Sequence, residues 1–182
     1  LISFLLPTIV YAIDPVPFYG PYTDSSTYKP ASIACTYNPS NGGSDFVIGD
    51  ITRDTVTPGR IRVISGDDGA TVKYSDFGPT PVPTPTSDYG SSVASIGDVN
   101  SDGTGDFIVG DYLESNAHLY ISNGAGFNKV TVDNTPVAFS FQSYFGTSLA
   151  GIYGPLQPAG PPAVAVGAPF YTVLPAIDDG LV

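Results

Sequence analysis

Methionine and tryptophan are absent from the 182 residues, cysteine and histidine occur once each (Cys35, His118), and a single glutamate, Glu114, accompanies sixteen aspartates. A chain without methionine is expected to begin inside a reading frame, as a fragment of a longer protein. One cysteine excludes an internal disulfide. Cys35 is read first as a buried apolar residue and otherwise as the partner of a thiol outside this sequence. Scarce glutamate also argues against helices, because Asp favours turns and caps while Glu favours helix interiors. The longest stretch free of both Gly and Pro is 111–123, which leaves little room for an ordinary helix. Basic residues are few as well: Lys29, Lys73, Lys129, Arg53, Arg60 and Arg62 form no stripe that could track phosphates, and net charge is −11, so nucleic acid is excluded as a partner. No apolar run is long enough to span a membrane as a helix.

What is present is turn chemistry and strand formers. The chain carries 21 Gly and 18 Pro, and its hydrophobic fraction is 42%. Leu, Ile, Val and Phe make up about 27% of it, above the level of disordered chains, so it folds mostly as β-sheet. Residues 1–10 are uncharged and apolar and run into Val10-Tyr11-Ala12, with small residues where a signal peptidase reads. Residues 1–12 are therefore expected to be the remnant of a secretory signal, with a buried first strand as the alternative. Residues 13–27, including Phe18-Tyr19-Gly20, form a separate N-terminal segment.

Sliding the sequence by 61 places Asp45-Phe46-Val47-Ile48-Gly49-Asp50 on Asp106-Phe107-Ile108-Val109-Gly110-Asp111, and Ala31-Ser32-Ile33-Ala34 on Ser92-Val93-Ala94-Ser95. At this shift Cys35 falls on Ile96. A third copy runs from Phe145-Gly146-Thr147-Ser148-Leu149-Ala150 to Ala163-Val164-Ala165-Val166-Gly167. The middle copy divides into a strand at 91–97, a polar loop at 98–105 and strands at 106–110, 116–122 and 127–132. Four short strands per repeat is the plan of a propeller blade. The third strand aligns Arg60 to Ser65 with either Ala117 to Ser122 or His118 to Asn123, so the face that His118 occupies stays open. Pro79-Thr80-Pro81-Val82-Pro83-Thr84-Pro85-Thr86 reads as a linker. Asp67-Asp68-Gly69 and Asp178-Asp179-Gly180 read as turns before a following strand, and Asp50 and Asp111 as caps of strand ends.

One segment carries chemistry. Asp98-Val99-Asn100-Ser101-Asp102-Gly103-Thr104-Gly105-Asp106 sets side-chain oxygens at positions 1, 3, 5 and 9 of a nine-residue loop, with Gly at position 6. Calcium takes 6–8 hard oxygens, and a tight loop can turn alternate residues inward to supply them, with Thr104 adding a carbonyl. Three carboxylates so close repel one another unless a cation neutralises them. An EF-hand is excluded, because its twelfth position would be Val109 within an apolar strand. Asp98, Asn100, Asp102, Thr104 and Asp106 are thus the candidate Ca2+ ligands.

With these residues in hand, the chain resembles the FG-GAP repeat family, found in the N-terminal β-propeller of integrin α-subunits. The resemblance rests on Tyr89-Gly90-Ser91-Ser92-Val93-Ala94-Ser95-Ile96-Gly97-Asp98 with its loop and Phe107-Ile108-Val109-Gly110, and on Phe145-Gly146 with Gly167-Ala168-Pro169 in the third copy. It covers residues 28–182 and implies an all-β fold of four-stranded antiparallel propeller blades in an incomplete ring. The divisions are a blade with its Pro/Thr-rich linker at 28–88, a calcium-loop blade at 89–144 and a truncated blade at 145–182, with 13–27 as a possible ring-closing strand. In the first copy Tyr37, Pro39 and Asn41 replace Asp98, Asn100 and Asp102, and the third has Gly154-Pro155-Leu156-Gln157-Pro158, so neither is expected to bind metal.

The resemblance implies a secreted or cell-surface adhesion and recognition module with an extracellular protein ligand or partner subunit, its calcium structural. The alternatives are the accessory propeller of a secreted, phospholipase-like hydrolase and a lectin-like propeller. No catalytic residues are assigned: a Cys35/His118 pair has little support, the paired aspartates fit turns, and the chain is not expected to be an enzyme or to insert into a membrane.

Overall fold

The computed structural model describes residues 28–38, 43–52, 57–79, 88–133, 144–152, 163–169, 172–173 and 177–178. The segments read as a signal remnant and as a ring-closing strand, most of the proline-rich linker and the 154–158 turn lie outside them. Two four-stranded antiparallel sheets follow one another along the chain. The first is β1 (Tyr28–Asn38), β2 (Gly43–Thr52), β3 (Arg60–Ile64) and β4 (Val72–Phe77), and the second is β5 (Ser92–Gly97), β6 (Asp106–Asp111), β7 (Asn116–Ser122) and β8 (Phe127–Asp133), each in sequential order. β9 (Leu149–Ile152) and β10 (Ala163–Val166) pair as a third sheet, and β11 (Thr172–Val173) with β12 (Ile177–Asp178) as a short hairpin. Among the described residues the only helical element is the single 3-10 turn Tyr112–Glu114, and no helix is long and apolar enough to cross a membrane.

The apolar run of β6 follows from its place in the stack. Phe107 and Val109 enter a core with Val47, Ile61 and Val63 of the first sheet, Tyr89 and Tyr120, while Ile108 turns the other way to join Ile96 and Ala117 against Leu149, Val164 and Val166. The second sheet is covered on both faces, so its central strand is buried at every position. Strands buried on both faces lose the alternation of half-exposed ones and read as continuous apolar runs. Aromatic rings fill the first core: Phe107 stacks on Tyr120 with centroids 4.8 Å apart, and Phe127 meets Phe107 edge-on at 4.9 Å.

A repeated backbone latch joins successive sheets. Asp88-Tyr89-Gly90-Ser91 and Tyr144-Phe145-Gly146-Thr147 are turns closed by Ser91 N to Asp88 O and Thr147 N to Tyr144 O, with Gly90 and Gly146 at φ +87° and +93°. A third turn residue with positive φ selects glycine. Gly90 N donates to Gly110 O of its own sheet, while Gly90 O accepts from Ser32 Oγ of the preceding one at 2.7 Å. The next junction repeats this: Gly146 N bonds Gly167 O at 3.0 Å and Gly146 O accepts from Ser92 Oγ at 2.6 Å. A Cβ at Gly49 or Gly110 would collide with the carbonyl of Gly90 or Gly146 respectively. The glycines of the repeat are thus the places where two sheets touch backbone to backbone.

Three alignments change. Ser32 pairs with Gly49 and Ser92 with Gly110, so β1 maps onto β5 at a shift of 60, one less than the shift that relates β2 to β6. The difference is Ile96, an extra residue of β5 bulged between Ser95 and Gly97, where β1 runs from Cys35 to Thr36 without one. Cys35 consequently stands where Ser95 does, not Ile96, and it is exposed rather than a buried apolar residue. In the third strand Arg60 faces Asp50 and Asn116 faces Asp111, a shift of 56 that neither sequence alignment used. The tight 3-10 turn between β6 and β7 shortens that connection relative to the one between β2 and β3. Asp68 does close the β3–β4 turn, accepting from the N–H groups of Ala70 and Thr71; of the second expected turn, Asp178 ends β12, and Asp179 and Gly180 lie outside the described residues.

Candidate metal centre

The loop between β5 and β6 is organised by its own carboxylates. Asp98 accepts from Asp102 N at 3.1 Å and Gly103 N at 2.8 Å, and Asp102 from Thr104 N at 2.8 Å. Gly103 takes φ +88°, giving the sharp bend expected at position 6. At the far end Asp106, fully buried, accepts from Val99 N at 2.8 Å with one oxygen and from Ser122 N at 2.7 Å with the other. Asn100 reaches the same place from the opposite side of the loop, donating to Ser122 O at 2.7 Å and Asp102 Oδ2 at 3.2 Å. The loop is therefore fastened to the end of β7, which the sequence did not indicate.

Four of the five candidates are joined directly, Asp98, Asn100 and Thr104 each bonding Asp102, and Asp106 is linked to Asn100 through the backbone of Ser122. Thr104 is placed in the loop through its N–H to Asp102. Burial raises the Asp106 carboxyl above its ordinary value, and the charges of Asp102 and Asp98 push it the same way, against the two N–H bonds that lower it. At Asp102 burial also pushes upward but is outweighed by hydrogen bonds from Thr104 N–H, Asn100 and Ser122, so its carboxyl lies below the ordinary value. Among the described residues no three Asp, Glu, His or Cys side chains converge closely enough to enclose an ion. The donor set nonetheless fits calcium chemically. It is all oxygen, its carboxylates feel one another, and each N–H bond leaves a carboxylate oxygen with a further lone pair.

The first sheet treats the corresponding acids differently. Asp45, at the place of Asp106, binds Lys73 Nζ through both oxygens at 2.8 and 2.9 Å and accepts from Gly66 N at 3.0 Å, the counterpart of the Ser122 bond. Asp50, buried in the core rather than capping a strand end, takes Arg62 at 2.7 and 3.1 Å and Arg60 at 3.0 Å. Its counterpart Asp111, also buried, faces His118 Nε2 at 4.0 Å. The β7 register settles the face of His118, whose ring lies 5.3 Å from that of Tyr89, on the side of the first sheet. Sequence reading missed Lys73 and the Asp111–His118 pair, because both depend on registers that the repeat alone does not determine.

No protein-family model matches the chain, and no curated protein is similar to it at a significant level.

Proposed function

We propose that the chain is a calcium-binding β-propeller module of an extracellular recognition or adhesion protein, with the metal structural and the protein ligand met by loops at the sheet ends. The observation that carries this reading is the serial stacking of sheets through one repeated Ser-Gly latch. The second sheet offers one face to the first sheet and the other to the third, an arrangement that would continue into a ring of blades. The 98–106 loop lies at a junction of strands where an ion would tie β5, β6 and the end of β7 together. Asp98, Asn100, Asp102, Thr104 and Asp106 would hold Ca2+, which supplies positive charge to a cluster of three acids. At extracellular, near-millimolar calcium, a site of about 10⁻⁴ M affinity adds roughly 1.4 kcal/mol to folding.

The test immobilises the full chain and measures retention of a solubilised cell-surface protein fraction in calcium and in chelator. Calcium-dependent retention, lost in Asp102→Ala, is expected. Equal retention with and without calcium, or none in either, overturns the reading.

A further inference from the structure

The chain passes from β7 to β8 through Asn123-Gly124-Ala125-Gly126, a turn closed by Asn123 N to Gly126 O at 3.0 Å. Inside it Asn123 Oδ1 accepts from Ala125 N at 3.1 Å and Gly126 N at 2.9 Å, while Asn123 Nδ2 donates to Asn128 Oδ1 at 2.9 Å. Two N–H groups facing one atom fix it as the oxygen of the amide. The first sheet builds the same turn at Asp68-Gly69-Ala70-Thr71. There Asp68 Oδ1 accepts from Ala70 N and Thr71 N, both at 2.9 Å, and the next residue is again a glycine with positive φ, +64° at Gly69 against +78° at Gly124. One sheet carries an aspartate where the other carries an asparagine, within one hydrogen-bonded frame.

The asparagine version holds the elements of a reaction. A carbonyl oxygen gripped by two backbone N–H donors is polarised toward nucleophiles, and the same donors stabilise the oxyanion that addition at its carbon creates. The neighbouring nucleophile is Gly124 N. Its residue has no Cβ to obstruct approach, and one added there would meet nothing within 4 Å. The hydrogen bond that Gly124 N makes, to Ser122 Oγ, is long at 3.4 Å. Asn123, Gly124 and Ala125 are exposed, so water and hydroxide reach the turn. Hydroxide takes the Gly124 N–H proton, the nitrogen bonds Asn123 Cγ, and the Cγ–Nδ2 bond breaks; the departing nitrogen regains that proton from the water formed and leaves as ammonia. Water then opens the cyclic imide to aspartate or, through its other carbonyl, to isoaspartate.

We propose that Asn123-Gly124 is a self-modifying site, at which the turn itself promotes conversion of Asn123 to aspartate and isoaspartate. The product adds a carboxylate beside Ser122, whose N–H and carbonyl fasten Asp106 and Asn100 of the 98–106 loop. The aspartyl form keeps the turn, as Asp68 does in the first sheet, whereas the isoaspartyl form inserts a methylene into the main chain. The chemistry needs no metal and is independent of calcium binding by the loop. The full chain is held at mildly alkaline pH, folded and in parallel unfolded in guanidinium, and peptide mass mapping with isoaspartate detection follows Asn123-Gly124, with Asn41-Gly42 of the unfolded sample as the intrinsic reference for the same dipeptide. Asn123 is expected to convert about tenfold faster folded than unfolded, a part of what one oxyanion donor contributes in an enzyme. Gly124→Ala should slow the folded reaction, since its Cβ crowds the attacking nitrogen. A folded rate equal to or below the unfolded one, or a folded rate that Gly124→Ala leaves unchanged, overturns the proposal.

Discussion

The ammonium of Lys73 lies 2.8 and 2.9 Å from the two oxygens of Asp45, the acid that occupies in the first sheet the place of Asp106 in the second. Asp45 is 5% exposed, so removing its cation leaves a charge poorly solvated. Lys73 keeps about a third of its side chain in water, which reduces the loss below that of a fully buried pair. Lys73→Met is expected to destabilise the chain by about 1–2 kcal/mol. Calcium should not restore it, since Tyr37, Pro39 and Asn41 offer no carboxylate. Urea denaturation with and without calcium measures both; rescue by calcium would show that the first repeat holds a metal position after all.

Calcium is expected to raise the melting temperature by about 3–6 °C, from the roughly 1.4 kcal/mol above and the scaling for a chain of this size. Asp102→Ala should abolish the shift, because this residue both orders the loop through Thr104 N and bonds Asn100. A scan in chelator identical to one in calcium would refute the assignment of the loop.

Acid stability has a predictable component at Asp68. Its carboxyl is pulled down to about 2 by the hydroxyl of Thr71, then by the N–H groups of Thr71 and Ala70. A folded value below the unfolded 3.8 means that the stabilisation is present above 3.8 and is lost as pH falls toward 2. In Thr71→Val the largest of these contacts disappears. Carboxyl-carbon NMR titration should then place the Asp68 midpoint above its wild-type value; an unmoved midpoint would mean that the backbone bonds alone set it.

The four-strand plan of the two sheets is legible in the repeat itself, because Gly49 and Gly110 recur where a Cβ would meet the next sheet's backbone and the run at 107–109 marks a strand covered on both faces. The course of the loop is legible too, since Gly103 marks its bend and the alternating Asp98 and Asp102 are the acids that bond its backbone. What stays hidden are effects of register. The Ile96 bulge aligns the exposed Cys35 with Ser95 rather than Ile96, and the short 3-10 turn after Asp111 fixes the β7 register that brings His118 to 4.0 Å from that acid. Neither a bulge nor a connection length leaves a periodic trace, and a slip of one residue exchanges the faces of a strand.

A chain of hydroxyls and charges crosses from the second sheet to the first. Tyr89 OH meets Tyr120 OH, Tyr120 donates to Asp76 Oδ2 at 2.6 Å, and Lys129 Nζ reaches the same oxygen at 3.1 Å. Tyr120→Phe removes the middle member and leaves a buried Tyr89 hydroxyl without this partner, so a loss of about 1–3 kcal/mol is expected. Asp76 should also rise in pKa: its burial already favours the neutral form and is outweighed by bonds from Tyr120 and Lys129. A stability change with no movement of Asp76 would assign the loss to packing alone.

The backbone latch offers the sharpest contrast. An added Cβ at Gly110 meets the Gly146 carbonyl and Ser92 Oγ, whereas at Gly124, φ +78°, nothing lies within 4 Å. Gly110→Ala must part the second and third sheets and is expected to cost about 3 kcal/mol or more. Gly124→Ala carries only the left-handed backbone penalty of about 1–2 kcal/mol. Ser92→Ala, which deletes the 2.6 Å bond to Gly146 O without adding bulk, should lose about 1 kcal/mol. Chemical denaturation of the three variants ranks them. If Gly110→Ala were no worse than Gly124→Ala, backbone contact between sheets would not be what the repeated glycines provide, and the case for a serial stack continuing into a ring would lose its main support.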